Sequence, residues 1–397
     1  MTLANSCTES TGAAPLALYV HWPFCISKCP YCDFNSHVRK SIDEDVWREA
    51  LLADLEYEAR LLPDRRLTSI FLGGGTPSLM DPRTVEALIA AGTAHWAPAE
   101  DIEVTLEANP NSVETARFAD LVSSGVNRLS LGLQRFDDDG LKFLGRAHSA
   151  REGFAALETA QRHFRRVSFD LIYALPQETE DGWSAMLAQA LALGTKHLSL
   201  YQLTIEPGTR FASMVARREF EPLDCDAAAA LYEMTEAMTS ISGMPAYEIS
   251  NYARRGQESR HNLTYWRYGD YSGIGPGAHG RRLGMRTARH RKPENFLAAI
   301  SRDGHGIVEQ APLSPTEAAD EALVMGLRLS EGIDPVEIAG RFDLASVVDS
   351  VRVEQLTGSG HLTRMGARLA LTAKGRLLLD HILGEIAVLQ PSAFVAA

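Results

Sequence analysis

Residues 19–34 read Tyr-Val-His-Trp-Pro-Phe-Cys-Ile-Ser-Lys-Cys-Pro-Tyr-Cys-Asp-Phe and contain three cysteines, Cys25, Cys29 and Cys32, in the spacing C-x3-C-x2-C. The apolar run Leu18–Trp22 predicts a strand, so the cysteines lie on the loop that follows it. Three thiolates bind three irons of a cubane 4Fe-4S cluster and leave the fourth iron open to an exchangeable ligand. A zinc site or a structural cluster is the alternative, and each needs a further ligand from elsewhere in the chain.

Two further cysteines, Cys7 and Cys225, bring the total to five. An odd number, with three of the five close together in the chain, does not fit a disulfide framework. We interpret Cys7 as a thiol in a disordered tail and Cys225 as a packing residue at the start of a helix. The clustered cysteines therefore carry the chemistry.

The composition excludes several classes of protein. A formal net charge of -12 repels phosphate backbones, so we expect no nucleic acid partner. No stretch of the chain is apolar for the eighteen or so residues that a transmembrane segment requires, although peripheral membrane contact stays open. Residues 1–17 contain neither a basic residue nor an apolar core, which predicts a cytoplasmic protein without a secretory signal.

A strand pattern followed by a helix pattern recurs six times between Leu16 and about Pro207. The predicted strands are Leu18–Trp22, Ser69–Leu72, Ile102–Leu106, Arg128–Leu133, Ser168–Tyr173 and His197–Leu203. This alternation implies parallel strands joined by right-handed crossovers. Six units predict an α/β fold built on an open, partial (β/α)6 barrel.

The pattern changes after the sixth unit. We predict a disordered N-terminal tail over residues 1–15, the partial barrel over 16–210 and a barrel extension over 211–310, rich in aromatic residues and glycine. From residue 311 to 397, a helix over Glu317–Ser330, a second over Pro335–Phe342, a hairpin over Gly360–Leu371 and a last helix over Ala373–Ala387 predict a small winged-helix-like α+β domain.

Polar residues follow the predicted strands where each strand ends. They are Gly73–Thr76, Glu107 and Gln134, and Asp170 lies on the fifth strand. Ligands of parallel α/β proteins gather at the carboxyl ends of the strands, so this placement predicts a ligand site. Consecutive glycines in addition let the backbone approach a ligand closely.

The cysteine loop resembles that of the radical SAM proteins related to oxygen-independent coproporphyrinogen III oxidase, particularly the haem-chaperone branch of that family. The resemblance extends over nearly the whole chain. It is carried by the motifs Gly73-Gly-Gly-Thr-Pro-Ser, Leu106-Glu-Ala-Asn-Pro, Leu131-Gly-Leu-Gln-Arg-Phe, Leu144-Gly-Arg-Ala-His, Phe169-Asp-Leu-Ile-Tyr-Ala-Leu-Pro and Arg260-His-Asn-Leu-Thr-Tyr-Trp-Arg-Tyr-Gly-Asp-Tyr.

The resemblance implies a 4Fe-4S cluster on the three cysteines, with S-adenosyl-L-methionine as the ligand of the open iron. Arg146 is suited to pair with the carboxylate of that cofactor, and the acidic residues can accept hydrogen bonds from its ribose or amino group. The residues that match the family's cofactor residues are Tyr19, Tyr31, Gly74, Gly75, Thr76, Glu107, Gln134, Arg146 and Asp170.

Two further features favour a haem carrier within this family. Oxidase relatives place a further cysteine two residues after the third cluster cysteine, whereas this chain has Phe34. The element formed by His261, Asn262, Tyr265 and Trp266 matches one that the family links to haem handling. An imidazole can ligate haem iron and aromatic rings can pack on the macrocycle, although a histidine among aromatic residues is also common in protein cores.

The main hypothesis is therefore a haem chaperone that binds haem and transfers it to acceptor haemoproteins such as respiratory enzymes. The alternative is an oxygen-independent coproporphyrinogen III oxidase. Either function implies an electron donor for the cluster. A third hypothesis, a nucleic acid module, rests on the basic residues Arg364, Arg368, Lys374 and Arg376 near the predicted hairpin.

Overall fold

The computed structural model describes residues 13–39 and 41–388 of the chain. Most of the tail predicted over residues 1–15, including Cys7, therefore lies outside the described residues. Pro15 is instead the first residue of a strand, and it is in register with Arg66 of the next strand in the sheet. The described part of the chain thus enters the sheet at Pro15, and the boundary of the tail stays a prediction.

The first half of the chain alternates strands with helices. In chain order the elements are β1 (Pro15–Trp22), β2 (Phe24–Cys25), β3 (His37–Val38), α1 (Glu44–Leu61), β4 (Arg66–Gly74), α2 (Pro82–His95), β5 (Ala97–Ala108), α3 (Ser112–Thr115), α4 (Phe118–Ser123), β6 (Arg128–Gln134), α5 (Asp138–Phe143), α6 (Ala150–His163), β7 (Arg166–Tyr173), α7 (Glu180–Ala192) and β8 (His197–Gln202). Local signals start the helices: the side chain of Asp43, for example, accepts a hydrogen bond from the Val46 N–H at the start of α1.

The six predicted strands are present as β1, β4, β5, β6, β7 and β8. They lie side by side in that order, and each strand is parallel to the next. Their carboxyl ends therefore meet at one edge of the sheet. The α/β fold with a partial (β/α)6 barrel is confirmed.

Side chains alternate between the two faces of these strands. On β7, Phe169 and Leu171 belong to the main hydrophobic core, whereas Asp170 between them contributes to a cavity inside the barrel. On β5, Leu106 joins the core and Glu107 lines the cavity. The helices thus cover an apolar outer face, and the inner face is free to carry polar groups.

The segment after β8 extends the sheet at both edges. Its elements are α8 (Arg210–Ala216), α9 (Cys225–Ile241), β9 (Asn251–Ala253), α10 (Arg260–Trp266), β10 (Tyr271–Ile274), β11 (His279–Arg282), β12 (Met285–Arg289), α11 (Pro293–Asp303) and β13 (Ile307–Pro312). β10 is parallel to β1, β11–β13 continue antiparallel beyond it, and β9 is antiparallel to β8. The sheet is therefore mixed, and the boundaries of the extension stay predictions.

Buried charges attach this extension to the barrel. Arg289 on β12 is fully buried and contacts Asp54 at 3.0 Å and Glu58 at 2.7 Å, both on α1. Arg282 on β11 contacts Glu58 at 2.5 Å. Burial alone would raise the pKa of Glu58, but Arg289 and Arg282 outweigh that effect and hold the pKa below its ordinary value.

The C-terminal region forms a separate hydrophobic core. Its elements are α12 (Pro315–Leu327), α13 (Pro335–Arg341), α14 (Ser350–Gly358), β14 (Leu362–Met365), β15 (Arg368–Leu371), α15 (Ala373–Arg376) and α16 (Leu379–Ile386). Helices followed by an antiparallel hairpin agree with the predicted winged-helix-like arrangement. The sequence missed α14 and joined α15 and α16 into one helix. No helix within residues 13–39 and 41–388 is long and apolar enough to cross a membrane.

Two of the four basic residues near the hairpin have partners within the protein. Arg376 pairs with Glu236 on α9 at 2.8 Å, and the Arg368 side chain donates to the carbonyl of Glu331 at 2.8 Å. Arg364 and Lys374 are exposed. The Arg376 pair joins the C-terminal region to α9, and the Arg368 bond lies within the C-terminal region, so both charges have partners inside the protein.

We predict that Arg289→Leu lowers the free energy of unfolding by about 3–5 kcal/mol, because it leaves the buried Asp54 without its cation and removes one of the two arginines that pair with Glu58. Urea denaturation of the purified protein measures the change. The matched control is Arg302→Leu, which removes an exposed arginine paired with Asp303 and should cost about 1 kcal/mol or less. Equal losses in the two variants would contradict a structural role for the buried network.

Candidate functional site

The cysteine loop lies above a cavity at the carboxyl ends of the parallel strands. Cys25 ends β2, Cys29 and Cys32 follow on the loop, and none of the three forms a disulfide with another cysteine of the described residues. All three line a cavity of about 810 Å³, together with residues at the ends of β4, β5, β6, β7 and β8. This is the edge at which the sequence predicted a ligand site.

Glycine is required where the loop after β4 contacts the end of β1. A Cβ atom on Gly75 would lie 2.6 Å from the Phe24 carbonyl oxygen, and one on Gly74 would lie 2.7 Å from the His21 ring. Gly74 also has a φ of +112°, which favours glycine. The Gly75 N–H donates to the Trp22 carbonyl at 2.7 Å. The glycines thus hold the start of the cysteine loop against the barrel.

Hydrogen bonds connect two of the cysteines through side chains of three other elements. The Thr76 hydroxyl donates to the Cys25 sulfur at 3.5 Å, and the Asn109 amide donates to Thr76 at 3.2 Å. Arg146 donates to Asn109 at 2.5 Å and to the Cys29 sulfur at 3.4 Å. Donors to cysteine sulfur stabilise the thiolate and adjust the reduction potential of a cluster. The arrangement is therefore suited to a cluster bound through thiolates.

Two buried carboxyl groups lie below the loop. Burial raises the pKa of Glu107 to about 8, with a further contribution from the negative charge of Asp170, and the Gly74 N–H bound to Glu107 at 3.1 Å offsets part of this shift. Burial likewise raises the pKa of Asp170 to about 6. Glu107 therefore holds its proton at neutral pH in the protein without ligand.

Unpartnered polar atoms face the same cavity. The side-chain oxygen of Gln134 and the Nε of Arg146 are buried and have no hydrogen-bond partner in the part of the chain that the structure describes. Gln134 also has a φ of +68°, a conformation that costs a non-glycine residue about 1–3 kcal/mol. Strain and unmet hydrogen bonds together indicate a place for a polar ligand, so these residues fit the predicted cofactor.

The three cysteines are separate thiols on one loop, and a cubane uses one thiolate for each of three irons. Among residues 13–39 and 41–388, no three histidine, cysteine or acidic side chains converge closely enough to hold one ion. A cubane makes no such demand, because each thiolate binds a different iron. The thiols themselves are half-buried beneath the loop, with Cys32 3.9 Å from the Ser36 hydroxyl.

Tyr19 is the one predicted cofactor residue that does not line the cavity. Its hydroxyl bonds to Nδ1 of His21 at 2.9 Å, and Nε2 of His21 bonds to the Asn35 carbonyl at 2.9 Å. Burial lowers the pKa of His21 to about 4, so the ring is neutral and donates to Asn35 while it accepts from Tyr19. Tyr19 therefore supports His21, which packs under Gly74.

Tyr31 and Phe34 lie on the same loop but differ in their exposure to solvent. Tyr31 lies in the cavity wall and packs against Phe211 with a centroid distance of 6.3 Å. Phe34 lines the rim, and 60% of its side chain is exposed. The position where oxidase relatives carry an extra cysteine thus holds an exposed ring.

The predicted haem residues lie on α10, outside the lining of the cavity. His261 is buried, stacks on Phe71 at a centroid distance of 4.9 Å and lies 6.1 Å from the Tyr19 ring. Burial lowers the pKa of His261 to about 3, so its imidazole is neutral. Tyr265 packs on His261 at 5.7 Å and on Trp266 at 5.0 Å. The structure brings these residues together beneath the cofactor residues.

Sequence reasoning missed three residues of the site. His21 could have been found, since it lies two positions from Tyr19 and therefore on the same face of β1. Asn109 could also have been found, since it directly follows the end of β5, where ligand-binding residues gather. Arg328, which also lines the cavity, had no such signal. It belongs to the C-terminal region and reaches the cavity only through tertiary packing.

We predict that raising the pH from 5 to 8 destabilises the ligand-free protein through Glu107. The folded protein keeps a proton on Glu107 up to about pH 8, whereas the unfolded chain releases it near pH 4.3, so folding is opposed as the pH rises between these values. The effect is about 1.4 kcal/mol for each unit of pKa shift. In urea titrations at several pH values, Glu107→Gln should flatten the dependence, and an unchanged slope would refute the assignment.

Two family profiles match the chain. The profile of the radical SAM superfamily matches residues 19–190, and that of the HemN C-terminal domain matches residues 313–378. The chain is 37% identical to heme chaperone HemW of Escherichia coli, over 93% of this chain and 97% of the relative. It is 42% identical to radical S-adenosyl methionine domain-containing protein 1, mitochondrial, of Bos taurus, over 82% of this chain and 76% of the relative.

The fold is also that of a solved structure. Coproporphyrinogen III oxidase (HemN) from Escherichia coli superposes with a TM-score of 0.78 at 22% identity, over 94% of this chain and 89% of that one. At this identity the likeness shows the fold alone. The sequence relatives are far more similar, and they confirm the resemblance predicted from the motifs. The chain therefore belongs to the radical SAM superfamily and, within it, to the HemW family.

Proposed function

We propose that this protein is a haem chaperone, which binds haem and transfers it to acceptor haemoproteins such as respiratory enzymes. The observation that carries the proposal is similarity along nearly the full length to several bacterial proteins named heme chaperone HemW. The cavity is compatible with this function, because about 810 Å³ is at the upper end of the range for small-molecule sites.

We propose that Cys25, Cys29 and Cys32 hold a 4Fe-4S cluster, as the radical SAM family implies. When bound, the cluster supplies an iron that S-adenosyl-L-methionine can ligate and an electron that can reach the cofactor. The residues proposed for that cofactor line the cavity around the cysteines, with Tyr19 beneath them. Thr76 and Arg146 have a second task, since both donate hydrogen bonds to cysteine sulfur.

His261 is the residue that we propose would ligate haem iron, with Tyr265 and Trp266 packed near it. Its neutral imidazole is the form that binds iron. Because His261 is buried against Phe71, coordination requires α10 to move away from β4. The Ser69 hydroxyl, 3.3 Å from His261 Nδ1, is a polar contact that this movement would break.

The oxidase remains the second candidate because the cofactor residues are intact. Phe34 argues against it, since the corresponding position of the oxidase relatives carries a cysteine. Anaerobic incubation with a reductant, S-adenosyl-L-methionine and coproporphyrinogen III separates the candidates. A chaperone forms no protoporphyrinogen. If the protein forms that product, whether once or repeatedly per molecule, the oxidase replaces the chaperone as the proposed function.

We place the protein in the cytoplasm, where a reducing environment keeps the three thiols free for cluster assembly. The electron donor of the cluster and the individual haem acceptors are further parts of the proposal. Exposed residues on the rim of the cysteine loop, such as Phe34, offer a surface from which a donor could approach.

We predict that titrating the cluster-loaded protein with haem gives a saturable absorption spectrum and that haem then passes to an apo-haemoprotein. His261→Ala should change the spectrum or weaken binding at least 10-fold, because the iron loses its nitrogen ligand. Ser69→Ala is the matched control: it removes the polar contact of His261 but keeps the imidazole. Haem binding by His261→Ala with an unaltered spectrum and affinity would exclude His261 as the ligand.

We predict that Cys25→Ser abolishes the 4Fe-4S cluster, because two thiolates and a hydroxyl do not retain a cubane. Iron and sulfide analysis after anaerobic reconstitution measures the loss. Cys225→Ser, at the exposed first residue of α9, is the control and should retain full iron content. A full cluster in Cys25→Ser would show that the ligands lie elsewhere.

A further inference from the structure

We propose that Arg328, held against the indole of Trp266, binds a carboxylate side chain of a planar tetrapyrrole inside the cavity. The inference rests on the proposed haem chaperone function and assigns the residue that orients the macrocycle. It also gives α10 a second role besides the proposed iron ligation by His261, since Trp266 is the last residue of that helix.

Arg328 reaches the cavity from the C-terminal region. It directly follows α12, and its guanidinium carbon lies 4.9 Å from the centroid of Trp266. It lines the same cavity as Tyr201 on β8, Tyr232 on α9 and residues 249–250 before β9, and its charge offsets part of the rise in pKa that burial causes at Glu248. Arg328 thus brings a cation from the C-terminal region to the cavity.

Within residues 13–39 and 41–388, Arg328 forms no ion pair, and its Nε is buried without a hydrogen-bond partner. The charge of Arg328 acts on the buried carboxyl group of Glu248. That carboxyl group already accepts from the Ser250 N–H at 3.2 Å and from the Asn251 amide, and burial raises its pKa. Burial of an arginine without a counter-ion is energetically unfavourable because the charge loses water, and an anionic ligand would offset that loss.

The surroundings select the class of anion. A guanidinium pairs with a carboxylate in a planar, bidentate geometry. Tyr201, Tyr232 and Ile249 line the same cavity and give it aromatic and aliphatic surface, which suits a flat apolar ligand. A molecule that combines a flat apolar body with carboxylate side chains is a tetrapyrrole such as haem.

The carboxylate of S-adenosyl-L-methionine is the competing occupant. The residues proposed for that cofactor surround the cysteines, where Arg146 already provides a guanidinium beside Cys29. Arg328 comes instead from the C-terminal region and packs on Trp266 at the end of α10. We therefore assign Arg328 to the macrocycle, and the two assignments predict opposite outcomes in binding experiments.

The experiment measures dissociation constants of the cluster-loaded protein for haem, for haem with both propionates esterified, and for S-adenosyl-L-methionine. Arg328→Leu should weaken haem binding about 10- to 100-fold, the effect of one charge-assisted hydrogen-bonded pair. Esterified haem should bind the parent protein with a similar loss and should bind Arg328→Leu as well as haem does. Affinity for S-adenosyl-L-methionine should not change.

Trp266→Leu tests the platform and should weaken haem binding with Arg328 still present. Arg267→Leu is the matched control, because Arg267 is also at the end of α10 but pairs with Glu331 at the surface. Equal binding of haem and its ester by the parent protein overturns the inference without any variant, and the chaperone proposal then stands. A loss confined to S-adenosyl-L-methionine also overturns it. Absence of haem binding by the parent protein overturns both proposals.

Discussion

The site depends on a contact between two stretches of backbone. One is the end of β1 together with the first residues of the cysteine loop, and the other is the turn after β4. At Gly75 the contact leaves no room for a Cβ atom, and the Gly75 and Thr76 N–H groups donate to the Trp22 and Phe24 carbonyls at 2.7 and 2.8 Å. This contact sets where Cys25 begins the loop and brings the Thr76 hydroxyl to its sulfur. With Cys25 and Thr76 held in this position, Asn109 donates to Thr76, and Arg146 donates to Asn109 and to the Cys29 sulfur.

The inside of the barrel has a second polar layer below the cofactor residues. Glu103 on β5 is buried, and it accepts from the Arg166 side chain at 2.8 Å and from the Arg260 N–H at 2.9 Å. These bonds hold the start of α10 against the barrel. His261 follows directly and stacks under Phe71, while Trp266 at the other end of α10 supports Arg328. One short helix therefore connects the floor of the barrel to the C-terminal region.

Local patterns predicted most of the barrel and part of the site. The six parallel strands, the loop after β1 and the polar residues at the strand ends all follow from alternation and from spacing along the chain. β10 was not predicted as a seventh parallel strand, because a run of four residues, Tyr271–Ile274, within a glycine-rich stretch has too little pattern. The break between α15 and α16 was missed for a similar reason, since Leu377 and Leu378 continue an apolar helical pattern there.

The sequence by itself determined the class of chemistry, because the cysteine spacing and the glycine motif are local patterns. Residues so close in the chain stay together in space, whatever the rest of the protein does. It could not determine the surroundings of distant residues. Whether His261 is exposed or buried, and whether Arg328 faces solvent or the cavity, depends on how α10 and the C-terminal region pack on the barrel. Those contacts join residues far apart in the chain, and no local pattern encodes them. Only the tertiary structure decided that the haem candidates lie beneath the cofactor residues and that an arginine from another region completes the cavity.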